Sequence, residues 1–95
     1  MRLEQSPRAE HDLADITEYS LAQHGLAQTI AYIDAVEAAF RRLLDHPQVG
    51  VARDDLKPGL RSIVCGEHRI FYLVQAETVL IVRVLHRAMD AGRHF

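Results

Sequence analysis

The segment from Leu60 to Leu85, LRSIVCGEHRIFYLVQAETVLIVRVL, decides the fold of this chain. Three apolar stretches rich in β-branched and aromatic residues are separated by two turn signals, Gly66-Glu67 and the triplet Gln75–Glu77. A two-residue link that starts with glycine is typical of a tight hairpin, and the triplet suits a slightly longer one. The segment therefore predicts three antiparallel strands in a meander.

The last two strands carry apolar side chains on both alternating sets, over Ile70–Val74 and, apart from Arg83, over Val79–Leu85. An antiparallel sheet with one wet face would alternate between apolar and polar residues. Helices cover one face, so the loop and C-terminal tail, another copy, or a different protein must cover the other. Because large exposed apolar surfaces generally mark interfaces, we expect a protein partner there.

A strand and a helix are predicted before this segment. Arg2–Gln5 has the alternating character of a short strand, which we place at an edge of the sheet. Ser6 followed by Pro7 is a helix-start signal, because serine caps free N–H groups and proline suits the first turn. This first helix should run from Pro7 to about His24 and end at Gly25.

A second helix is predicted from Leu26 or Ala27 to Asp45, ending before Pro47. The link between the helices is so short that they must lie antiparallel. His46–Gly59 contains two prolines and two glycines without a sustained period, which indicates a loop. The fold class is therefore α+β: a short N-terminal strand and an antiparallel two-helix hairpin packed on a small antiparallel sheet.

Length and composition restrict the functional classes. The 95 residues, of which 48% are hydrophobic, are expected to form one domain over residues 1–95. No apolar run is long enough to cross a bilayer, and the N-terminus is too polar for a signal peptide, so no membrane partner is expected. The single cysteine, Cys65, is interpreted as a small core residue, and a reducing cytoplasm as the compartment.

The charges are distributed unevenly along the chain. The net charge of −2 argues against binding nucleic acid by bulk electrostatics, and we expect no sequence-specific DNA binding by this chain alone. Residues 1–45 carry four Lys or Arg against eight Asp or Glu, a net charge of −4. The remaining fifty residues carry seven against five, a net charge of +2. The second half could therefore meet an acidic partner or phosphates.

The polar residues near the last strand allow two kinds of site. RNA cleavage needs an acid, a base and cations beside the phosphate, and the candidates are His68, His86, Arg61 and Arg87. The other interpretation of His68 is a structural hydrogen bond beside the turn. Arg83 lies inside an apolar strand and should pair with a carboxylate, and the candidate partners are Glu18, Glu77 and Asp90. No fixed ligand spacing accompanies the histidines, so no metal is expected.

Four segments, in this order, resemble one family: SPRAEHDLADITEYSLAQHG (6–25), AYIDAVEAAFRRLLDHPQVG (31–50), LKPGLRSIVCGEHRIFYLV (56–74) and IVRVLHRAMDAGRHF (81–95). They are similar to the ParE-type toxins of bacterial type II toxin–antitoxin systems, within the RelE/ParE superfamily. The resemblance implies a helical hairpin against an antiparallel sheet, as predicted above.

The resemblance also implies partners. ParE-type toxins inhibit DNA gyrase and so replication, whereas RelE-type relatives cut messenger RNA on the ribosome, and a ParD-like antitoxin segment wraps and neutralises the toxin. No cofactor is implied. The antitoxin-binding candidates are Leu13, Ile16, Val36, Phe40, Phe71 and Leu73.

Departures from the RelE pattern favour a gyrase-binding protein over a nuclease. The lysine-rich segment before the sheet is reduced to Arg53 and Lys57, and no tyrosine follows Arg87. We therefore expect no catalytic site, and we interpret the C-terminal tail as a docking element. Its target-docking candidates are His86, Arg87, Met89, Asp90, Arg93 and Phe95.

Overall fold

A computed structural model describes residues 1–95. Its elements are β1 (Arg2–Gln5), α1 (Pro7–His24), α2 (Leu26–Asp45), β2 (Val51–Ala52), β3 (Arg61–Cys65), β4 (His68–Gln75), β5 (Thr78–His86) and a C-terminal 3-10 turn (Ala91–His94). The five strands form one sheet in the order β1-β5-β4-β3-β2. The predicted α+β class is confirmed, with one refinement: β1 lies at the edge but pairs parallel to β5, so the sheet is mixed.

Ser6 explains both the start of α1 and its place on the sheet. Its Oγ accepts a hydrogen bond from the Ala9 amide (3.0 Å), as an N-cap should, and donates one to the Val82 carbonyl (2.7 Å). Gly25, with φ of 82°, ends α1 and leads directly into α2. The predicted limits of both helices are confirmed.

The main core lies between the helices and the sheet. Buried side chains of both helices pack there on those of β4 and β5, and they comprise Ala9, Val36, Phe40, Leu43, Ile70, Tyr72, Val79, Ile81 and Val84. Cys65 is half-buried against this core, in agreement with its predicted role. The core fixes the hairpin on one face only.

The opposite face of the sheet carries a second buried cluster, Leu60, Phe71, Leu73 and Leu85. Leu56 and Ala91 pack on it, and the Phe95 ring lies 5.1 Å from the Phe71 ring, centroid to centroid. The expectation that a partner protein covers this face is therefore wrong for the isolated chain. The loop and the tail fold back because they carry enough apolar surface to cover four buried residues.

Two local predictions need correction. The predicted loop contains the two-residue strand β2, which pairs with Arg61 and Ser62; two residues flanked by glycine and charged side chains give no periodic signal. The β4–β5 link is two residues long, since β4 continues to Gln75, and Ala76 adopts φ of 51°. Neither helix is long and apolar enough to cross a membrane.

Candidate functional site

Beyond the end of β1, groups at the start of α1 take the place of a neighbouring strand and form hydrogen bonds with the edge of β5. The Ser6 amide donates to the Ile81 carbonyl (2.9 Å), and the Val84 amide donates to Asp12 Oδ2 (3.0 Å). Arg83 donates to the same carboxylate through Nε (2.8 Å) and Nη2 (3.0 Å). Both side chains are about nine-tenths buried, and the hydrogen bonds that Arg83 donates to Asp12 raise the pKa of its guanidinium.

The predicted ion pair of Arg83 exists, but its predicted partners are wrong. Asp12 is the partner, and none of Glu18, Glu77 and Asp90 contacts the guanidinium. Asp12 faces the free edge of β5 because α1 starts there. That relation depends on how the helix crosses the sheet, which is not visible in the residues around Arg83.

A histidine pair lies where β3, β4 and β5 meet under α2. Tyr32 Oη donates to the Cys65 carbonyl (3.0 Å) and lies 2.6 Å from His68 Nδ1. His86 stands directly opposite His68 on β5, and their rings are 5.3 Å apart at an angle of 83°. The structural hydrogen bond predicted for His68 is confirmed.

The protonation chemistry of this pair follows from its surroundings. Burial, followed by the nearby His86, lowers the pKa of His68, and burial raises the pKa of Tyr32, so both side chains are neutral near pH 7. His86 Nδ1 accepts from the Ala88 amide (3.0 Å), which leaves its proton on Nε2. The structure therefore brings two imidazoles together at one end of the sheet, and that of His68 is neutral near pH 7.

Arg61 does not join this pair. Cys65 is the residue of β3 that pairs with His68, and Arg61 lies four residues away, about 13 Å along the strand. Its Nη1 donates to the carbonyls of Gly50 (2.8 Å) and Gln48 (3.3 Å), and so holds the loop before β2. Arg87 is adjacent to His86 in sequence and exposed. The four nuclease candidates are therefore not assembled around one point.

After His86 the chain leaves β5, and the tail folds back over the second face of the sheet. Its hydrogen bonds are nearly all internal: Met89 N donates to the His86 carbonyl (2.9 Å), and Gly92 N to Asp90 Oδ1 (3.0 Å). Arg87 N donates to the Glu67 carbonyl (2.8 Å). The side chains of Arg87, Met89, Asp90 and Arg93 are exposed. Phe95 is 38% exposed and otherwise rests on Phe71, so it is mainly a structural anchor of the tail.

A groove of about 520 Å³ runs between α1 and α2. The residues that line it are Gln5, Leu13, Ala14, Thr17, Glu18, Leu21, Ile33, Val36, Glu37 and Phe40. Leu13, Val36 and Phe40, three of the antitoxin-binding candidates, are among them, and Ile16 packs on the main core. Phe71 and Leu73 belong to the opposite face and are buried beneath the loop and tail.

Three residues with structural roles were not predicted: Asp12, Tyr32 and Tyr72. Tyr72 is fully buried, accepts from the Gly50 amide and donates to the Pro47 carbonyl (both 2.8 Å). A tyrosine within an apolar pattern needs a hydrogen-bond partner, and that signal marks both tyrosines. No cluster of three or more His, Cys, Asp or Glu side chains could hold a metal ion.

Comparisons with known proteins agree with this architecture. The family model described as ParE toxin of type II toxin–antitoxin system, parDE, matches residues 3–91. Toxin ParE1 of Mycobacterium tuberculosis is 36% identical over 90 residues, which cover 94% of this chain and 92% of the relative.

Two solved structures have the same fold. The chromosomal ParDE toxin–antitoxin system of P. aeruginosa contains a chain with a TM-score of 0.78 and 18% identity, covering 90% of this chain and 95% of that one. The toxin–antitoxin complex RelBE2 of Mycobacterium tuberculosis contains one with a TM-score of 0.61 and 29% identity, covering 93% and 92%. With a family match over nearly its whole length, the chain belongs to the ParE toxins of type II toxin–antitoxin systems.

Proposed function

We propose that this toxin inhibits DNA gyrase, and thereby replication, by docking its C-terminal tail, and that a cognate ParD-like antitoxin neutralises it. The observation that carries the proposal is the exposed set of side chains beyond β5. Arg87 and Met89 lie two residues apart in this turn, are both exposed, and Arg87 forms no ion pair within the chain. A cation beside an apolar side chain is suited to a partly acidic protein surface.

Within the tail, the six docking candidates fall into two groups. Arg87, Met89 and Arg93 are the contacts that we assign to the target, because their side chains project into solvent. His86, Asp90 and Phe95 shape the tail: His86 accepts from Ala88, Asp90 caps the 3-10 turn, and Phe95 anchors the end on Phe71. A truncation of the tail would therefore expose the second apolar cluster and confuse loss of docking with loss of stability.

For the antitoxin, the groove between the helices is the surface that we assign. Leu13, Val36 and Phe40 form part of its floor, and Leu21 at its side is 43% exposed. An amphipathic helix laid into such a groove would bury Leu21 and the exposed part of Leu13, and would rest on Val36 and Phe40, which are already buried in the main core. An antitoxin could contact Phe71 and Leu73 only after the tail had moved off them. We therefore assign these two residues a lesser role in antitoxin binding.

The second candidate function is ribosome-dependent RNA cleavage. It is favoured by the adjacent His68 and His86 rings, one of which has a depressed pKa and is thus a free base near neutral pH. Arg61, held by loop carbonyls, supplies no cation beside them. Because the candidate cations are not gathered around the two histidines, RNA cleavage is the weaker of the two candidate functions.

The test compares two double variants with the wild-type toxin in a gyrase supercoiling assay on relaxed plasmid with ATP. Arg87→Ala with Met89→Ala should reduce inhibition at least about tenfold, as expected when central contacts are removed. His68→Gln with His86→Gln, checked for folding, should inhibit within a few-fold of wild type. The reverse order of effects, together with loss of messenger RNA cleavage on ribosomes, would establish the nuclease instead.

A further inference from the structure

We infer that the groove between α1 and α2 selects a helical antitoxin segment in which Lys or Arg residues flank an apolar stripe. This inference rests on the proposed antitoxin partnership and adds the chemistry of the segment. It is carried by the shape of the groove and by the sign of every charge along it.

The groove continues beyond this larger depression. A second depression of about 300 Å³ shares Thr17, Leu21 and Ile33 with the first and extends to Leu26 and Ile30. Leu26 and Ile30 are 66% and 52% exposed, so the apolar surface reaches the end of the hairpin. From Leu26 to Phe40 the helix rises about 21 Å, the length of a helix of about 14 residues. A single amphipathic helix of that length fits the groove.

All charged residues that line the two depressions are acidic. They are Glu18 on α1 and Asp34 and Glu37 on α2, and no Lys or Arg accompanies them. All three are exposed, and none forms an ion pair within the chain. By contrast, Asp12 and Asp15 of the same hairpin have partners, Arg83 and His11. The groove therefore presents unpaired negative charge on both of its walls.

This arrangement discriminates between segments of equal hydrophobicity. A segment with basic flanks would pair with carboxylates on both sides, whereas acidic flanks would place like charges together over an apolar floor, which is costly. The N-terminal half of the chain, with a net charge of −4, adds long-range attraction toward a basic segment. Selectivity should therefore appear mainly in the association rate and in the dependence on salt.

The experiment uses the full toxin and two fluorescent helical peptides of about 16 residues, slightly longer than the groove. Both carry the same leucine stripe, and their flanking positions are all Lys in one and all Glu in the other. Anisotropy titrations at about 50 mM and about 300 mM NaCl measure both affinities, since salt at the higher concentration screens exposed charges. We expect the Lys peptide to bind at least about tenfold more tightly at low salt, with a smaller ratio at high salt.

Variants then locate the effect. Glu18→Gln, Asp34→Asn and Glu37→Gln together should remove the preference for the Lys peptide. The control, Asp45→Asn, Glu67→Gln and Glu77→Gln, changes the net charge equally at exposed positions outside the groove and should retain it.

Any of three binding results would overturn the inference: equal affinities of the two peptides, a preference that persists in the groove variant, or no binding of either peptide below about 1 mM. Sedimentation of the toxin alone as a dimer that the Lys peptide does not dissociate would assign the groove to a second copy and would also overturn it. Gyrase inhibition is measured without peptide, so its failure is a separate result.

Discussion

Asp12 and Arg83 are joined by two hydrogen bonds, of 2.8 and 3.0 Å, and this ion pair fastens α1 to the stretch of β5 that β1 leaves free. Replacing Asp12 by alanine leaves a guanidinium that is about nine-tenths buried without its counter-charge, and also removes the acceptor of the Val84 amide. We expect a loss of about 3–5 kcal/mol in the free energy of unfolding, measured by urea denaturation.

Asp15→Ala is the matched control for Asp12→Ala, because Asp15 lies one turn away and its side chain is 65% exposed. Its effect should stay within about 0.5 kcal/mol. The double variant Asp12→Leu with Arg83→Met should recover much of the lost stability, since it also removes the positive charge that the single variant leaves buried without a partner. An Asp12→Ala protein as stable as the Asp15→Ala protein would contradict the assigned role of the pair.

Gly50 is required by its distance from Tyr72. A Cβ atom there would lie 2.5 Å from Tyr72 Oη and 2.7 Å from Cε1, while the Gly50 amide is bound to the same hydroxyl. Gly50→Ala should therefore cost about 1–3 kcal/mol of unfolding free energy. Gln48→Ala, an exposed neighbour, should be close to neutral in the same denaturation series. Equal stability of the two variants would mean that the Tyr72 contact is looser than described.

The stability of the protein should fall as the pH is lowered, in part through His68. Its pKa in the folded protein lies below the ordinary value of 6.5, so the unfolded chain takes up this proton first. The contribution of His68 is thus complete above about pH 6.5 and is lost as the pH falls from there through the lower native pKa. Denaturation at a series of pH values should give a shallower decline for His68→Gln than for the wild type.

His24→Gln serves as the control for this pH series, because His24 is exposed at the end of α1. It should leave the slope unchanged. Direct titration of the ring protons by NMR gives an independent reading. A native pKa of His68 at or above 6.5 would contradict the burial that the structure assigns to it.

Phe95 and Met89 should separate stability from docking. Phe95→Ala removes an aromatic ring from the Phe71 surface and should cost about 1–2 kcal/mol of unfolding free energy. Met89 is 50% exposed, so Met89→Ala should change stability by less than about 0.5 kcal/mol while weakening gyrase inhibition. Thermal unfolding and supercoiling assays on both proteins check this, and a large stability loss in Met89→Ala would count against its assignment to the target.

The helices and strands were predictable because local signals mark them. Ser6-Pro7 and Gly25 set the limits of α1, and the apolar stretches around Gly66 set the meander. β2 was missed because its two residues are held by pairing with β3, and the loop before it by hydrogen bonds from Arg61 to Gly50 and from Tyr72 to Pro47, all later in the sequence. Such a strand has no periodicity of its own.

The partner of Arg83 and the cover of the second sheet face were mispredicted for a different reason. Composition indicates that an apolar strand with an arginine needs a carboxylate, but four or more carboxylates satisfy that rule, and only the helix crossing selects Asp12. Likewise, a sheet with two apolar faces needs a packing partner on each face. Which segment packs on the second face could not be predicted, because the contact between Phe95 and Phe71 depends on a turn after His86. Both are tertiary relations between distant segments.

The proposed inhibition of gyrase is tested most directly by the effect of the purified toxin on the enzyme itself. Toxin in excess over gyrase is added to relaxed plasmid with ATP, and supercoiled and linear DNA are quantified after detergent and protease treatment. Loss of supercoiling with accumulation of linear DNA is the expected result. Unchanged supercoiling, with a toxin preparation that is folded by its denaturation profile, would contradict it and direct attention to His68 and His86 on the ribosome.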